Sequence, residues 1–198
     1  MQFTLRLHRA FMTAARLHGG QRRKTDDIPY VTHSYAAAFI VSQHTQDEDI
    51  IIATILHDVI EDVAGYSTQE MTRDFGERVT SLVLQVSDPE KVPDMTSADE
   101  RATWETRKTN FIEHLRKASS DALMIVAADK LHNMVSTVEA YGRHGKSIFK
   151  KFNSPIVRRQ WFHGEVVALV KQKLHNALAD ELEQVYREAN RALDVSNS

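Results

Sequence analysis

The chain has 198 residues, 42% of them hydrophobic and 26% charged, with 25 Lys and Arg against 27 Asp and Glu for a formal net charge of −2. That length suits one domain over residues 1–198 with a core that needs no cross-links, and the near-neutral balance argues against a nucleic-acid polymer as partner. No cysteine is present, which excludes disulfides, thiolate-held metals and a cysteine nucleophile, and fits a cytoplasmic location.

The opening residues MQFTLRLHRAFMTAARLHGG alternate apolar with basic or polar side chains. Neither a signal peptide nor a membrane partner is therefore expected. Seven Gly and four Pro are scant punctuation for strands, and almost every segment fits a period of 3.6 rather than 2. The fold class is therefore all-α, a compact multi-helix bundle. Leu7, Ala10, Phe11, Ala14, Ala15 and Leu17 line one face of a first helix that stops at Gly19 and Gly20. Residues 21–30 are polar, contain Pro29 and read as a loop. A second helix is predicted over about 32–44, and a third from Asp47, a suitable N-cap, to about Ile60.

Ser67 with Glu70 forms a capping box for a short helix ending near Gly76, and a further helix reaches Val86. Residues 88–97, with Pro89 and Pro93, read as a loop, and Ser97 with Glu100 as a second capping box opening a helix with Trp104, Phe111, Ile112 and Leu115. The run from Ala122 to Ala128 is apolar on every face, so it predicts a buried central helix continuing to Tyr141 and ending at Gly142. Ser154 followed by Pro155 reads as an N-cap with Pro at the first helical position, and one or two helices then run to about Leu193. These last helices either cap the bundle or serve a homodimer interface.

His57-Asp58-Val59-Ile60-Glu61-Asp62 carries the densest chemistry. At about 100° per residue on a continuous helix, Asp58, Glu61 and Asp62 fall about 100°, 40° and 140° from His57, all on one side. An imidazole with carboxylates can hold a divalent cation, and a carboxylate outside the ligand set can take a proton from water. The competing explanation is a solvated acidic helix end. Asp129 follows the buried run, where an unpaired carboxylate would cost on the order of several kcal/mol. It needs either a cation or an ion pair with a Lys or Arg. Asn133 lies one turn later and Lys130 is adjacent.

His33, near a helix start, could be an ordinary capping residue, but it completes a four-ligand set with His57, Asp58 and Asp129. Mixed N and O ligands suit Mn²⁺, Fe²⁺, Co²⁺ or Zn²⁺, with Mg²⁺ also admissible. Arg22-Arg23-Lys24 lies nine to eleven positions before His33. It is either a solvated turn or a set of cations folded over the same cavity to meet phosphate oxygens. Arg107-Lys108 is a second candidate phosphate clamp. Trp161 and Phe162 sit on an apolar stripe and read as core. His8, His18, His44, His114, His132, His144, His163 and His175 show no partner set in the sequence.

The order His33, His57-Asp58, Asp129 resembles the HD-domain metal-dependent phosphohydrolases. The longer set AARLHGGQRRK, PYVTH, ATILHDVIEDV and AADKLHNM is similar to the (p)ppGpp hydrolase domain of the RelA/SpoT type and its small stand-alone relatives, over about residues 5–140. Four motifs in order are more specific than the HD pair alone. The resemblance implies an HD-domain bundle, Mn²⁺ as the cofactor and hydrolysis of the alarmone 3′-pyrophosphate. It also implies His33, His57, Asp58 and Asp129 as metal ligands, and Glu61 and Asp62 as the groups that orient or deprotonate the attacking water. Arg23 and Lys24 would touch substrate phosphate or base, and Lys130 and Asn133 would line the pocket. The stretch between Val86 and Ala128, with its WETRKTNFIEHLRKAS segment, is longer than in the alarmone hydrolases and bears on the guanine and 5′-phosphate contacts. Two other functions fit the same residues: a nucleotidase or nucleoside-triphosphate hydrolase acting on 5′-phosphates, and a nucleotide sensor without turnover.

Overall fold

The computed structural model describes residues 2–90 and 96–193. Among the described residues the chain forms ten α-helices and one 3₁₀ helix, and the extended pairing is an isolated bridge between Arg22 and Pro29. The all-α expectation holds.

Helix α1 (Leu5–Leu17) is capped by the Thr4 hydroxyl, which accepts the Leu7 N–H, and it buries Leu7, Ala10 and Ala14. Next come α2 (Val31–Ser42), α3 (Glu48–Leu56) and the single turn α4 (Val59–Asp62). The Asp47 carboxylate accepts the Asp49 N–H and starts α3, whose residues from Ile50 to Leu56 are all buried. Helices α5 (Thr68–Phe75) and α6 (Glu77–Val86) meet at Gly76. Its φ of 93° lies where L side chains are strained, so a glycine is required there. Both halves of the Ser67–Glu70 capping box form. Helix α7 (Ser97–Leu115), the long α8 (Ser120–His144), the 3₁₀ helix (Gly145–Lys151), α9 (Ile156–Lys173) and α10 (Ala177–Ala192) complete the described chain.

The predicted buried helix is α8. Ala122, Leu123, Ile125, Val126, Ala127 and Ala128 are all buried, and α8 packs against α2, α3, α6, α9 and α10. A segment apolar all round is stable only with neighbours on every side, which makes α8 the axis of the bundle. Leu178, Ala179, Leu182 and Ala189 of α10 are buried, and that helix packs on α8 and α9 of the same chain. The buried face of α10 is thus spent within this chain.

Four predicted boundaries move. The helix expected over 47–60 breaks after Leu56, and His57 and Asp58 form a bend before α4. There the Thr54 carbonyl accepts from His57 Nδ1 at 2.8 Å, so a side chain takes an acceptor that belongs to the helix ladder. Helix α8 continues through Gly142 and stops at Gly145, where φ is 60°. Contacts with α10 and the 3₁₀ helix along α8 outweigh the roughly 1 kcal/mol that an internal Gly costs. The α7 cap is Thr96, whose hydroxyl accepts the Asp99 N–H at 3.2 Å, rather than Ser97. Pro155, not Ser154, occupies the N-cap of α9, and Ser154 is buried. Of the loop expected over 88–97, residues 91–95 lie outside the described residues.

Candidate metal centre and active site

Four elements deliver the chemistry. Helix α2 presents His33 in its first turn, the α3–α4 bend presents His57 and Asp58, α4 carries Glu61 and Asp62, and the middle of α8 carries Asp129. Because α2, α3 and α8 pack on one another, side chains up to 96 residues apart in sequence converge. One ligand atom each from His33, His57 and Asp58 falls within 4.8 Å of the others. Asp129 Oδ1 lies 3.1 Å from His33 Nε2 and 3.8 Å from His57 Nε2, and Asp58 Oδ2 lies 3.1 Å from His57 Nε2.

These groups fit a divalent cation. His57 donates through Nδ1 to the Thr54 carbonyl, which fixes the ring and points Nε2 at the carboxylates. That Nε2 is buried, makes no hydrogen bond and faces both carboxylates, so once its proton is displaced it is aimed to ligate. His33 Nδ1 is 2.7 Å from His132 Nδ1, leaving His33 Nε2 for the cluster. Outer hydrogen bonds that set ring orientation in this way accompany metal-ligating imidazoles generally. His33, His57 and Asp58 thus form a cluster that could hold a divalent metal through N and O donors, with the Asp129 carboxylate beside it.

The charges agree with that reading. Burial opposes ionisation of Asp129, yet neighbouring Lys130, His33 and His57 hold its carboxyl well below the usual range. Asp58 behaves alike: burial works against its charge, and His57 and His33 win. Burial also acts to lower the pKa of His57, but Asp58 and Asp129 hold it well above the ordinary value. Burial lowers His33 despite Asp129 beside it. The cluster therefore draws one positive charge to His57, which a cation can replace. The ion-pair partner considered for Asp129 is present, from the same helix: Lys130 Nζ sits on Oδ2 at 2.5 Å, while Oδ1 faces the imidazoles and accepts from Asn133 Nδ2.

Around this centre opens a cavity of about 360 Å³, in the range that holds a small-molecule ligand. Arg23, Lys24, Glu61, Asp62, Lys108, Lys130 and Asn133 all line it. Arg23 Nη2 donates to Asn133 Oδ1 at 3.0 Å, and Lys24 is held more loosely by Glu100 at 3.4 Å. Their loop is a small hairpin tied by Arg23 N to the Ile28 carbonyl and Tyr30 N to the Gln21 carbonyl. It is anchored from α8 and the 3₁₀ helix: Arg143 pairs with Asp26 at 2.9 Å, and Lys151 Nζ donates to the Thr25 carbonyl at 3.0 Å. Glu61 Oε1 accepts the Asp88 N–H at 2.6 Å.

Arg107 is not brought to the cavity. Its guanidinium is buried and bonded to Asp88 Oδ2 at 2.9 Å, because its position on α7 turns inward while Lys108, one residue on, turns to the cavity. Phe162 is core, as expected from its stripe, and also lines the cavity, whereas Trp161 is exposed.

Sequence reasoning missed Tyr30, His132, Arg159 and His163. Tyr30 donates to Asp58 Oδ2 at 2.5 Å, and burial followed by Asp58 and Asp62 raises its hydroxyl well above the ordinary value. His132 is pulled down to about 4 by burial, then by His33 and Arg23. Arg159 lies over the Phe152 ring at 4.2 Å, and burial with Arg23 nearby lowers it to about 10. Burial, Arg159 and Lys130 take His163 down to about 3. Tyr30 stands one helical turn before His33, a usable signal. Nothing local marks the two α9 residues, which reach the cavity through tertiary packing.

A helical bundle whose packed helices deliver a His, a His-Asp pair and a distant Asp to one buried centre defines the HD class, and a sequence model described as HD domain matches residues 10–155: the chain belongs to the HD-domain family. Among individual proteins, it is 38% identical over 132 residues to a GTP pyrophosphokinase of Streptomyces coelicolor, covering 66% of this chain and 15% of that protein. It is 34% identical over 131 residues to the bifunctional (p)ppGpp synthase/hydrolase SpoT of Escherichia coli K12, covering 65% and 18%. The chain thus spans less than a fifth of the length of these curated relatives. A solved structure of a metazoan ortholog of SpoT that hydrolyzes ppGpp superposes with a TM-score of 0.73 at 26% identity, covering 95% of this chain and 97% of that one. The fold is shared with lmo0812 from Listeria monocytogenes, with a TM-score of 0.67. Among the described residues no helix is long and apolar enough to cross a membrane.

Proposed function

We propose that this chain is a metal-dependent phosphohydrolase that removes the 3′-pyrophosphate of guanosine alarmones, converting ppGpp and water to GDP and pyrophosphate. The observation that carries the reading is the convergence of His33, His57 and Asp58 in a cavity shared with Asp129 and rimmed by cations. The similar proteins named for ppGpp hydrolysis support the substrate.

His33, His57, Asp58 and Asp129 would hold the cation, with Mn²⁺ as the resident ion. When bound, such an ion supplies a Lewis acid that acidifies water and polarises a phosphoryl oxygen. Glu61 and Asp62 border the centre from α4, outside the ligand set, and take the proton of the attacking water. Arg23 and Lys24 neutralise the phosphate oxygens, Arg23 through a planar fork already aligned by Asn133. Lys130 steadies Asp129 and adds positive charge toward the substrate. The water oxygen bonds to the first phosphorus of the 3′-diphosphate as the bond from that phosphorus to the ribose 3′ oxygen breaks; the 3′ oxygen leaves on GDP and takes back the proton held by Glu61 or Asp62, while these cations hold the pyrophosphate.

The test is a product assay on metal-stripped protein, with Mn²⁺ restored, against ppGpp and a panel of 5′-nucleotides. GDP and pyrophosphate from ppGpp are expected. Turnover of 5′-nucleotides alone would move the chain to the nucleotidase branch, and tight ppGpp binding without product would make it a sensor.

A further inference from the structure

Asp88 sits at the junction of α6 and α7 with its side chain 2% exposed, a rare place for a carboxylate. Its Oδ2 receives Arg107 Nη1 at 2.9 Å and Lys108 Nζ at 3.1 Å. Its Oδ1 accepts the Glu90 N–H at 3.1 Å. Its own backbone N–H donates to Glu61 Oε1 at 2.6 Å. Arg107 is fixed in turn, with Nε donating to Thr103 Oγ1 at 3.1 Å. One carboxylate thus meets two cations from adjacent positions of α7, and the same residue's amide grips the carboxylate of Glu61.

The two cations are not equivalent. Arg107 is buried and points away from the cavity, whereas Lys108 fronts it, over the rings of Phe111 and Phe162 at 5.2 and 5.4 Å. When an anionic ligand draws Lys108 toward itself, Asp88 would be left as a buried charge without a partner unless Arg107 stayed. A buried ion pair is destabilised most when one member loses its counter-charge.

We infer that Arg107 is a positioning residue: by holding Asp88 it keeps the Asp88 amide on Glu61, and it frees Lys108 to follow the substrate. Here α7 has a task beyond walling the cavity, because it ties the cation that meets the ligand to the carboxylate that handles water. The inference rests on the proposed hydrolysis for the role of Glu61, and on the hydrogen-bond geometry alone for the link.

The test compares Arg107→Gln and Arg107→Lys with the wild-type chain, using Mn²⁺-dependent ppGpp hydrolysis and amide hydrogen exchange. Loss of the link predicts a fall in kcat of about ten-fold or more for Arg107→Gln, with a smaller rise in KM of about two- to five-fold because Lys108 must then stay on Asp88. Arg107→Lys, which keeps the charge, falls between the two, so the relation can be read even if the glutamine variant does not fold. In both variants the Asp88 amide exchanges faster, in the same order as the kcat losses, while the core of α8 keeps its protection. A raised KM with kcat intact would make Arg107 a phosphate contact and overturn the inference. Faster exchange throughout the bundle with kcat per folded molecule unchanged would reduce Arg107 to a structural role and overturn it equally. If the wild-type chain leaves ppGpp untouched, the proposed function fails, and exchange at Asp88 still decides whether the link exists.

Discussion

Filling the metal centre should stabilise the fold by an amount that can be read directly. His57 Nε2 is buried without a hydrogen bond, and two carboxylates face it, so the native state holds a preformed site that the unfolded chain lacks. Divalent ion at about a thousand times its dissociation constant then adds about 4 kcal/mol to stability. For 198 residues this corresponds to a rise in midpoint of roughly 8–16 °C. The assay is thermal unfolding followed by helix circular dichroism, on protein stripped with a chelator and then titrated with Mn²⁺. His57→Ala should remove the metal-dependent shift while the helical spectrum persists, because Thr54 and the buried face of α3 do not depend on the imidazole. It should also abolish ppGpp turnover. A stripped wild-type protein whose midpoint does not move on saturation with Mn²⁺, Fe²⁺, Co²⁺ or Zn²⁺, or a His57→Ala variant with turnover intact, would refute the metal centre.

Because His57 is held well above its ordinary pKa by Asp58 and Asp129 against burial, metal entry must displace its proton; calorimetry in buffers of different ionisation enthalpy should show close to one proton released near neutral pH, and affinity should rise with pH until that group has titrated. Replacing His132 by Phe removes the partner of His33 Nδ1, and Mn²⁺ affinity, measured by paramagnetic relaxation, should fall about 10–100-fold. His163 is lowered to about 3 by burial, Arg159 and Lys130, so below about pH 6.5 the unfolded chain binds a proton there that the folded chain refuses. Its contribution therefore costs stability as pH falls from that value toward 3, and urea unfolding of His163→Gln should show a flatter acid limb than the wild type.

Much of the architecture could be read before any coordinates because it follows from local rules. The all-apolar run from Ala122 to Ala128 had to be interior, and Asp129, next in line, had to have partners. His57 and Asp58 reach the metal-binding cluster from a turn between two helices and not from the single continuous helix that the periodicity predicts. Their convergence comes from the Thr54 carbonyl and from the packing of α2, α3 and α8. Arg107 and Lys108 were indistinguishable by composition, and only the facing of α7 separates a buried partner of Asp88 from a cavity lysine. His132 shows the opposite limit. Its helix and register were legible, but its contact lies 99 residues away in sequence, beyond what periodicity reports.

The anchoring of the hairpin that carries Arg23 and Lys24 sets how far this chain can be shortened. The His33, His57 and Asp58 cluster and Asp129 beside it all precede Lys130, so a fragment ending near Gly142 would keep the whole signature. It would forfeit the Arg143 and Lys151 tethers to Asp26 and Thr25, the α9 side of the cavity and the α10 surface laid along α8. The smallest unit that keeps this cavity is therefore set by what braces the hairpin of Arg23 and Lys24 and not by the motifs around the cluster, and a library that grafts only those motifs onto another bundle would transplant the His and Asp side chains without the wall that faces them.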